Sequence, residues 1–221
     1  GYPVGTATTV DLLRQGAFSR DTAARVNSFC NCASPGFCIG LAGLGIFGSA
    51  RTGAMLYGIH ILTALLTGLL VARPAQATAE GAAPYTPDTT PHQSFSSVFC
   101  AAVQQAAATA LTVTAFLTVF CVLLQLVQPI LSHLPYGNAL SGMLELTSGL
   151  DALRALPFPD GVKLTLVSFL LGFGGLAVQF QARAVAEPAG LPMDNFAANK
   201  LLHGAMAAAL TALLTRISPT A

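Results

Sequence analysis

The stretch LTLVSFLLGFGGLAVQFQA, residues 164–182, decides how this chain folds. It contains no charged side chain and has about the length that a helix needs to cross a bilayer. Its centre, Gly172-Phe173-Gly174-Gly175, holds three glycines in four positions, and each glycine weakens a helix by about 1 kcal/mol relative to alanine. The polar side chains of Gln179 and Gln181 follow. Irregular backbone at membrane depth is tolerated only where protein buries it or where it lines a cavity. The stretch therefore predicts a membrane helix that breaks in its interior.

The composition of the whole chain indicates an integral membrane protein. Of its 221 residues, 53% are hydrophobic and 9% are charged, against about 25% charged residues in soluble domains. The net charge of +1 argues against a nucleic-acid partner. The five cysteines lie in apolar surroundings and lack the spacing and the histidine partners of a zinc site. We therefore expect a protein that lies in the lipid bilayer and holds no metal and no cofactor.

Several further segments predict an all-α, polytopic fold with broken or re-entrant helices. The glycine-rich residues 37–49 are too short for an ordinary span and suggest a half-helix or re-entrant segment, whereas residues 53–72 form a clear transmembrane helix. Pro129 is expected to end a long helix. The predicted helices of the second half cover residues 97–127, 138–156, 161–183 and 195–216.

Two glycine-rich stretches indicate an internal repeat. GLAGLGIF, residues 40–47, is similar to GFGGLAVQ, residues 172–179, and each precedes a helix with a histidine, His60 or His203. Paired glycine-interrupted segments mark the binding sites of secondary transporters, whose repeats are commonly inverted. The competing explanation is that glycine and alanine recur by chance in any apolar chain. An inverted repeat would place the two stretches together near the bilayer midplane.

The repeat divides the chain into three parts. Residues 1–74 form the end of a first repeat, with interfacial helices, the re-entrant segment and one transmembrane helix. Residues 75–96 are rich in alanine, proline and threonine and form an extramembrane linker. Residues 97–221 form a second, gate-like repeat.

Four motifs carry a resemblance to a known family. They are Gly1-Tyr2-Pro3-Val4-Gly5, Phe29-x-Asn31-x-x-Ser34-Pro35-x-Phe37-x-Ile39-Gly40, Leu144-Glu145-Leu146-Thr147-x-Gly149, and LLGFGGLxVxxQ at 170–181 with LLHG at 201–204. These motifs resemble the YlbJ family of sporulation integral membrane proteins, in the nucleoside-recognition or gate domain group. The resemblance covers nearly the whole chain except the linker and corresponds to the C-terminal part of those proteins, so we expect further segments upstream of Gly1. One departure is Gln179, where the family pattern predicts a histidine.

The resemblance implies a permease of the bacterial inner membrane, in a membrane around the developing spore. It implies a small anion of the dipicolinate type as the transported molecule. Two alternatives stay open, a nucleoside-type transporter and a non-transporting scaffold of a sporulation complex, and so does assembly into a homo-oligomer. The motifs of metalloproteases, serine hydrolases, phosphate loops and dinucleotide sites are lacking from the sequence, and we expect no enzymatic activity.

The predicted substrate-binding residues come from the broken helices and the acidic motif. They are Asn31, Ser34, Pro35, Gly36, Glu145, Thr147, Gly172, Gly174, Gly175, Gln179, Gln181 and His203. Glycine backbone amides can bind anions, although close helix packing explains these glycines equally well. Ser34-Pro35 is also an ordinary helix start.

Glu145 is the strongest of these candidates. A carboxylate in the middle of a membrane helix costs about 3 kcal/mol, so it should face a partner, water or substrate. We expect a polar stripe with Ser141 and Ser148 and a role in coupled transport. The alternative is an interfacial helix on which Glu145 is merely solvated. His60 and Lys200 are expected to be structural, the first as a core histidine and the second as a side chain that snorkels to the interface.

Overall fold

The computed structural model describes residues 1–72, 94–134 and 136–217. All regular secondary structure in these ranges is helical. The elements are α1 (Val4–Arg14), α2 (Arg20–Cys30), a π-helix (Gly36–Ile46), α3 (Ala50–Val71), α4 (Phe95–His133), α5 (Ser141–Leu144), α6 (Leu146–Ala155), α7 (Asp160–Phe173), α8 (Gly175–Ala186) and α9 (Phe196–Ile217). Short 3₁₀ turns precede α5 and follow α8. Most of the predicted linker, residues 75–93, lies outside the described residues.

Four helical stretches in the described part of the chain are long and apolar enough to cross a membrane. They are Ala50–Val71, Phe95–His133, Asp160–Ala189 and Phe196–Ile217. Helices of this length span the hydrocarbon core, which is about 30 Å thick. The prediction of an all-α polytopic membrane protein is confirmed, and the short glycine-rich segment at Gly36–Ile46 takes the form of a π-helix.

The helix break predicted from the glycine triplet is confirmed at Gly174. Helix α7 ends at Phe173, and Gly174 and Gly175 adopt φ values of 82° and 75°. Side chains with a Cβ atom rarely adopt this left-handed conformation, whereas glycine adopts it readily. Helix α8 then begins without a side-chain cap. The 30-residue stretch Asp160–Ala189 is thus two half-helices joined at two glycines.

Glycine contacts allow the helices of the core to approach each other closely. A Cβ atom added to Gly172 of α7 would lie 2.6 Å from the Cα atom of Gly204 of α9, and one added to Gly43 would lie 2.5 Å from the Cα atom of Gly53 of α3. Small residues at such crossings are typical of membrane helix pairs. The main apolar core packs beside these crossings and contains buried leucines and valine of α3, α6 and α7.

The two halves of the chain interleave. Helices α2 and α3 pack on α9, and α1 packs on α8. Gly43 lies against Gly53 of α3, and Gly172 lies against Gly204 of α9. Helices α3 and α9 also pack on each other. The inverted relation between the halves and the meeting of the glycine segments near the bilayer midplane stay predictions.

The predicted helix end at Pro129 is wrong, because α4 continues through Pro129 to His133. Proline removes one N–H donor, but membrane helices tolerate it where local adjustments satisfy the freed carbonyl. The predicted helix over residues 138–156 is also wrong, because it is interrupted at Glu145.

Two glycines of α3 provide a test of this packing. We expect Gly53→Ala to lower the thermal stability of the purified protein, by an amount equivalent to about 1–3 kcal/mol, because its Cβ atom would lie 2.6 Å from the Cα atom of Ile39. Gly58→Ala is the matched control in the same helix, since nothing lies within 4 Å of an added Cβ atom there. Unfolding in detergent, followed by size-exclusion chromatography after heating, compares the two. Equal stability of both variants would contradict the close crossing.

Candidate functional site

Lys200 lies at the centre of a buried polar cluster between α2, α3 and α9. Its side chain is completely buried, so the prediction that it snorkels to the interface is wrong. Helices α2 and α3 both pack on α9, and the chain that follows α2 supplies a polar partner. The Nζ atom donates a hydrogen bond to the carbonyl oxygen of Asn31 at 3.1 Å and lies 3.3 Å from Nδ1 of His203.

The hydrogen bonds fix the tautomers of the two histidines. Nε2 of His203 lies 2.9 Å from the carbonyl oxygen of His60, which can only accept, so Nε2 carries the proton. In the neutral ring Nδ1 of His203 is then an acceptor for Lys200. The backbone N–H of Ala33 donates to Nε2 of His60 at 3.0 Å, so the proton of a neutral His60 ring lies on Nδ1. The two imidazole rings stack with their centroids 4.7 Å apart.

Three polar atoms of this cluster have no hydrogen-bond partner among the described residues. They are Oδ1 and Nδ2 of Asn31 and Nδ1 of His60, and both side chains are buried. A buried polar group without a partner costs about 1–3 kcal/mol. Stability alone does not explain polar residues at these positions, and the free donors and acceptor are available to water or to a ligand.

Within the described ranges, the side chain of Lys200 has no carboxylate partner. Among the described residues the ion pairs are Arg25–Asp21 and Arg183–Glu187. Asn31 is the C-cap of α2, so the carbonyl that binds Lys200 belongs to the negative end of a helix dipole. The aromatic ring of Tyr2 lies 5.6 Å from Nζ, within range of a cation–π interaction.

Tyr2 connects this cluster to the helix breaks. Its hydroxyl group donates to the carbonyl oxygen of Leu171 at 2.6 Å, in the last turn of α7, and lies 3.6 Å from the position of a Cβ atom added to Gly174. The start of α1 and the break between α7 and α8 are therefore within reach of one side chain. Helix α1, like α8, begins without a side-chain cap.

Two more helices begin next to these. Ser34, whose hydroxyl accepts from the backbone N–H of Phe37 at the start of the π-helix, lies against Gly1. A Cβ atom added to Gly175 would lie 3.3 Å from the backbone nitrogen of Leu146, where α6 begins. The starts of four helices thus adjoin one another. Helix starts carry partial positive charge and free N–H groups.

Glu145 interrupts the predicted helix because it caps the start of α6. Its backbone is extended, with φ −136°, and its carboxylate oxygens accept from the backbone N–H groups of Thr147 at 2.8 Å and Ser148 at 2.6 Å. The expected polar stripe with Ser141 is therefore wrong. The solvated alternative is wrong as well, since only 3% of Glu145 is exposed.

The structure places the other predicted residues in three groups. Asn31 and His203 join the Lys200 cluster. Gly174 and Gly175 form the helix break beside Tyr2 and Glu145, while Gly172 packs on Gly204. The remaining candidates have local contacts or buried positions: Ser34, Pro35 and Gly36 start the π-helix, Thr147 lies in the first turn of α6, Gln179 donates to the carbonyl oxygen of Phe173 at 3.4 Å, and Gln181 is buried. Their roles in substrate binding stay predictions.

Sequence reasoning did not select Lys200, His60 and Tyr2. One signal was available, because Lys200 and His203 are three residues apart and such residues share one face of a helix. His60 was visible as the counterpart of His203 in the proposed repeat.

No protein-family model and no solved structure matches the chain significantly. A curated protein does match, over 97% of this chain and with 28% identity. The chain is similar to the sporulation integral membrane protein YlbJ of Bacillus subtilis. This confirms the resemblance that the four motifs indicate. The chain spans 61% of the length of that protein. Together with the four apolar helices, the similarity identifies an integral membrane protein.

Removal of the Glu145 cap should destabilise the protein. We expect Glu145→Ala to lower stability by about 1 kcal/mol or more, because two buried N–H groups of α6 lose their acceptor. Glu145→Gln keeps one acceptor oxygen and should lose less. Glu187→Ala is the control, since Glu187 forms an exposed ion pair with Arg183 and such pairs contribute little. Thermal unfolding in detergent checks the order, and an unchanged Glu145→Ala protein would show that the cap is dispensable.

Proposed function

We propose that this protein is a membrane permease that moves a small anionic metabolite of the dipicolinate type during spore formation. The observation that carries the proposal is the meeting of a helix start with a helix break. Helix α1 starts at Val4, the break lies at Gly174-Gly175, and Tyr2 bridges the two through its bond to Leu171. The similarity to a sporulation membrane protein supports the cellular setting.

Broken helices favour transport over a purely structural role. A scaffold can be built from continuous helices, whose backbone groups are all satisfied within the helix. A break in the interior instead leaves helix ends that need partners. Discontinuous helices with ends near the bilayer midplane form the substrate and ion sites of many secondary transporters.

The electrostatics of the interior favour an anion. Lys200 is buried without a carboxylate within reach of an ion pair in the described ranges, and the starts of α1 and α8 have no side-chain cap. Half-helix N-termini of this kind point at anionic groups in transporters. The carboxylate of Glu145 is already bound to two backbone N–H groups, so it does not neutralise Lys200.

A nucleoside-type transporter is the second candidate. The amide of Asn31 and Nδ1 of His60 have no partner in the part of the chain that the structure describes. They offer donors and an acceptor, which also suit the hydroxyl and base edges of a nucleoside. This candidate predicts that nucleosides, rather than dicarboxylates, compete for uptake.

The test uses the full-length protein in proteoliposomes and radiolabelled dipicolinate. Wild-type protein should take up the label, unlabelled dipicolinate should compete, and nucleosides should not. Gly174→Ala should reduce uptake about tenfold or more, because a Cβ atom in left-handed backbone costs about 1–2 kcal/mol at the break.

Gly16→Ala is the matched control, since Gly16 also has a positive φ of 73° but has nothing within 4 Å of an added Cβ atom. It should suffer a similar backbone strain and keep its uptake. Competition by nucleosides alone would favour the second candidate. A folded wild-type protein that moves neither class of molecule would favour the scaffold.

A further inference from the structure

Lys200 occupies a position where a transporter would bind a coupling cation. Its ammonium nitrogen lies 3.1 Å from the carbonyl oxygen of Asn31, the C-cap of α2. Carbonyl groups at half-helix C-termini and in unwound backbone coordinate coupling ions in secondary transporters. Here the cation is a side chain of the protein, and it is fully buried.

We propose that Lys200 is the proton-coupling group of the permease. The inference rests on the proposed function. Lys200 takes up a proton from the solution on the loading side when the anion binds, which converts its neutral amine to an ammonium ion. On the opposite side the anion leaves, the ammonium returns the proton to the solution, and Lys200 becomes a neutral amine again.

Charge neutrality of the buried core is the reason for this cycle. A buried ion without a counter-charge is costly in a membrane protein. With the anion bound, the ammonium ion of Lys200 compensates one negative charge. Without the anion, the neutral amine leaves no net charge in the cluster. The protein must switch its opening between the membrane faces both with the anion bound and without it. A side chain that is charged only when the anion is bound keeps the net charge of the cluster low in both states.

The other titratable groups that face Lys200 are engaged in hydrogen bonds, which leaves Lys200 as the proton carrier. His203 of α9 already donates from Nε2 to the carbonyl oxygen of His60 of α3, and protonation of both stacked rings would place two cations against each other. The thiol of Cys32 donates to the carbonyl oxygen of Phe29, and that of Cys30 lies 3.2 Å from the hydroxyl oxygen of Thr9. The hydroxyl group of Tyr2 donates to the carbonyl oxygen of Leu171.

Helix α7 packs along α9 but keeps its charged residues away from Lys200. Gly161, beside Asp160, lies against Thr215 near the far end of α9. Lys163 donates to the carbonyl oxygen of Arg154 and is only partly buried. Neither charge of α7 therefore substitutes for Lys200.

A cavity lies beside the chain segments that carry the cluster. It has a volume of ≈ 580 Å³ and is lined by polar and charged residues that include Arg20, Arg25, Ser28 and Asn199. Asn199 donates to the hydroxyl oxygen of Ser28 at 2.9 Å. These two residues adjoin the cluster in the chain, because Asn199 precedes Lys200 and Ser28 lies about one helical turn before Asn31. Water in this cavity can deliver a proton once the contact opens.

The experiment separates exchange from proton-driven accumulation in proteoliposomes of the full-length protein. The probes are radiolabelled dipicolinate and a pH-sensitive dye in the lumen. When the outside is acidified, wild-type protein should accumulate the label and acidify the lumen, with about one or more protons entering per anion. Lys200→Arg keeps a permanent charge. Accumulation should fall about tenfold or more relative to the variant's own rate of dipicolinate exchange, because the empty carrier stays charged.

Lys163→Arg is the matched control and should behave like wild type, since Lys163 is only partly buried and its side chain bonds to Arg154, outside the cluster. Full accumulation by Lys200→Arg would overturn the inference. Wild-type uptake without proton entry would also overturn it, and this measurement decides the matter even if Lys200→Arg fails to fold. A wild-type protein that transports nothing would overturn the permease itself, and this inference with it. Accumulation that falls far more than exchange in Lys200→Arg, together with proton entry in the wild type, supports both.

Discussion

The contact between Gly172 and Gly204 sets the geometry on which the interior depends. The backbones of α7 and α9 meet there with no room for a Cβ atom on either glycine. Gly204 directly follows His203, so the same crossing fixes the position of the histidine and of Lys200 one turn earlier. Gly172 directly precedes the turn into Gly174, so the crossing also holds the end of the broken helix. A single close approach thus positions both the break and the buried cluster.

The buried polar cluster lowers the stability of the folded protein. A lysine, two histidines and an asparagine share an interior in which three polar atoms find no partner among the described residues. Buried polar groups are normally satisfied, and apolar residues of similar size would often be more stable than a buried charge. The cluster holds together α2, α3 and α9 through two backbone carbonyl groups, those of Asn31 and His60.

Local sequence features predict the spanning helices and the break at Gly174, but they do not predict the buried polar cluster around Lys200. The uncharged runs give the spanning helices, and the clustered glycines give the break at Gly174, because both signals act on the backbone nearby. The interruption at Glu145 was missed because a glutamate in an apolar run reads as a buried charge, whereas here its own carboxylate caps the next turn. The burial of Lys200 could not be read from α9, since it depends on which distant segment covers that helix. The partner is the carbonyl of Asn31, 169 residues away.

The length of α4 has a consequence for the membrane around the protein. Its 39 residues extend about 58 Å at 1.5 Å per residue, whereas the hydrocarbon layer is about 30 Å thick. Even a tilt of about 40°, the upper end of the observed range, leaves about 44 Å along the membrane normal. Roughly three turns or more must project beyond the hydrocarbon. Bilayer thickness therefore determines how far α4 stands in the headgroup region. Because α4 packs on α8, with Phe120 against Phe180, a change in lipid thickness would act as a mechanical load on the half-helix that begins at Gly175.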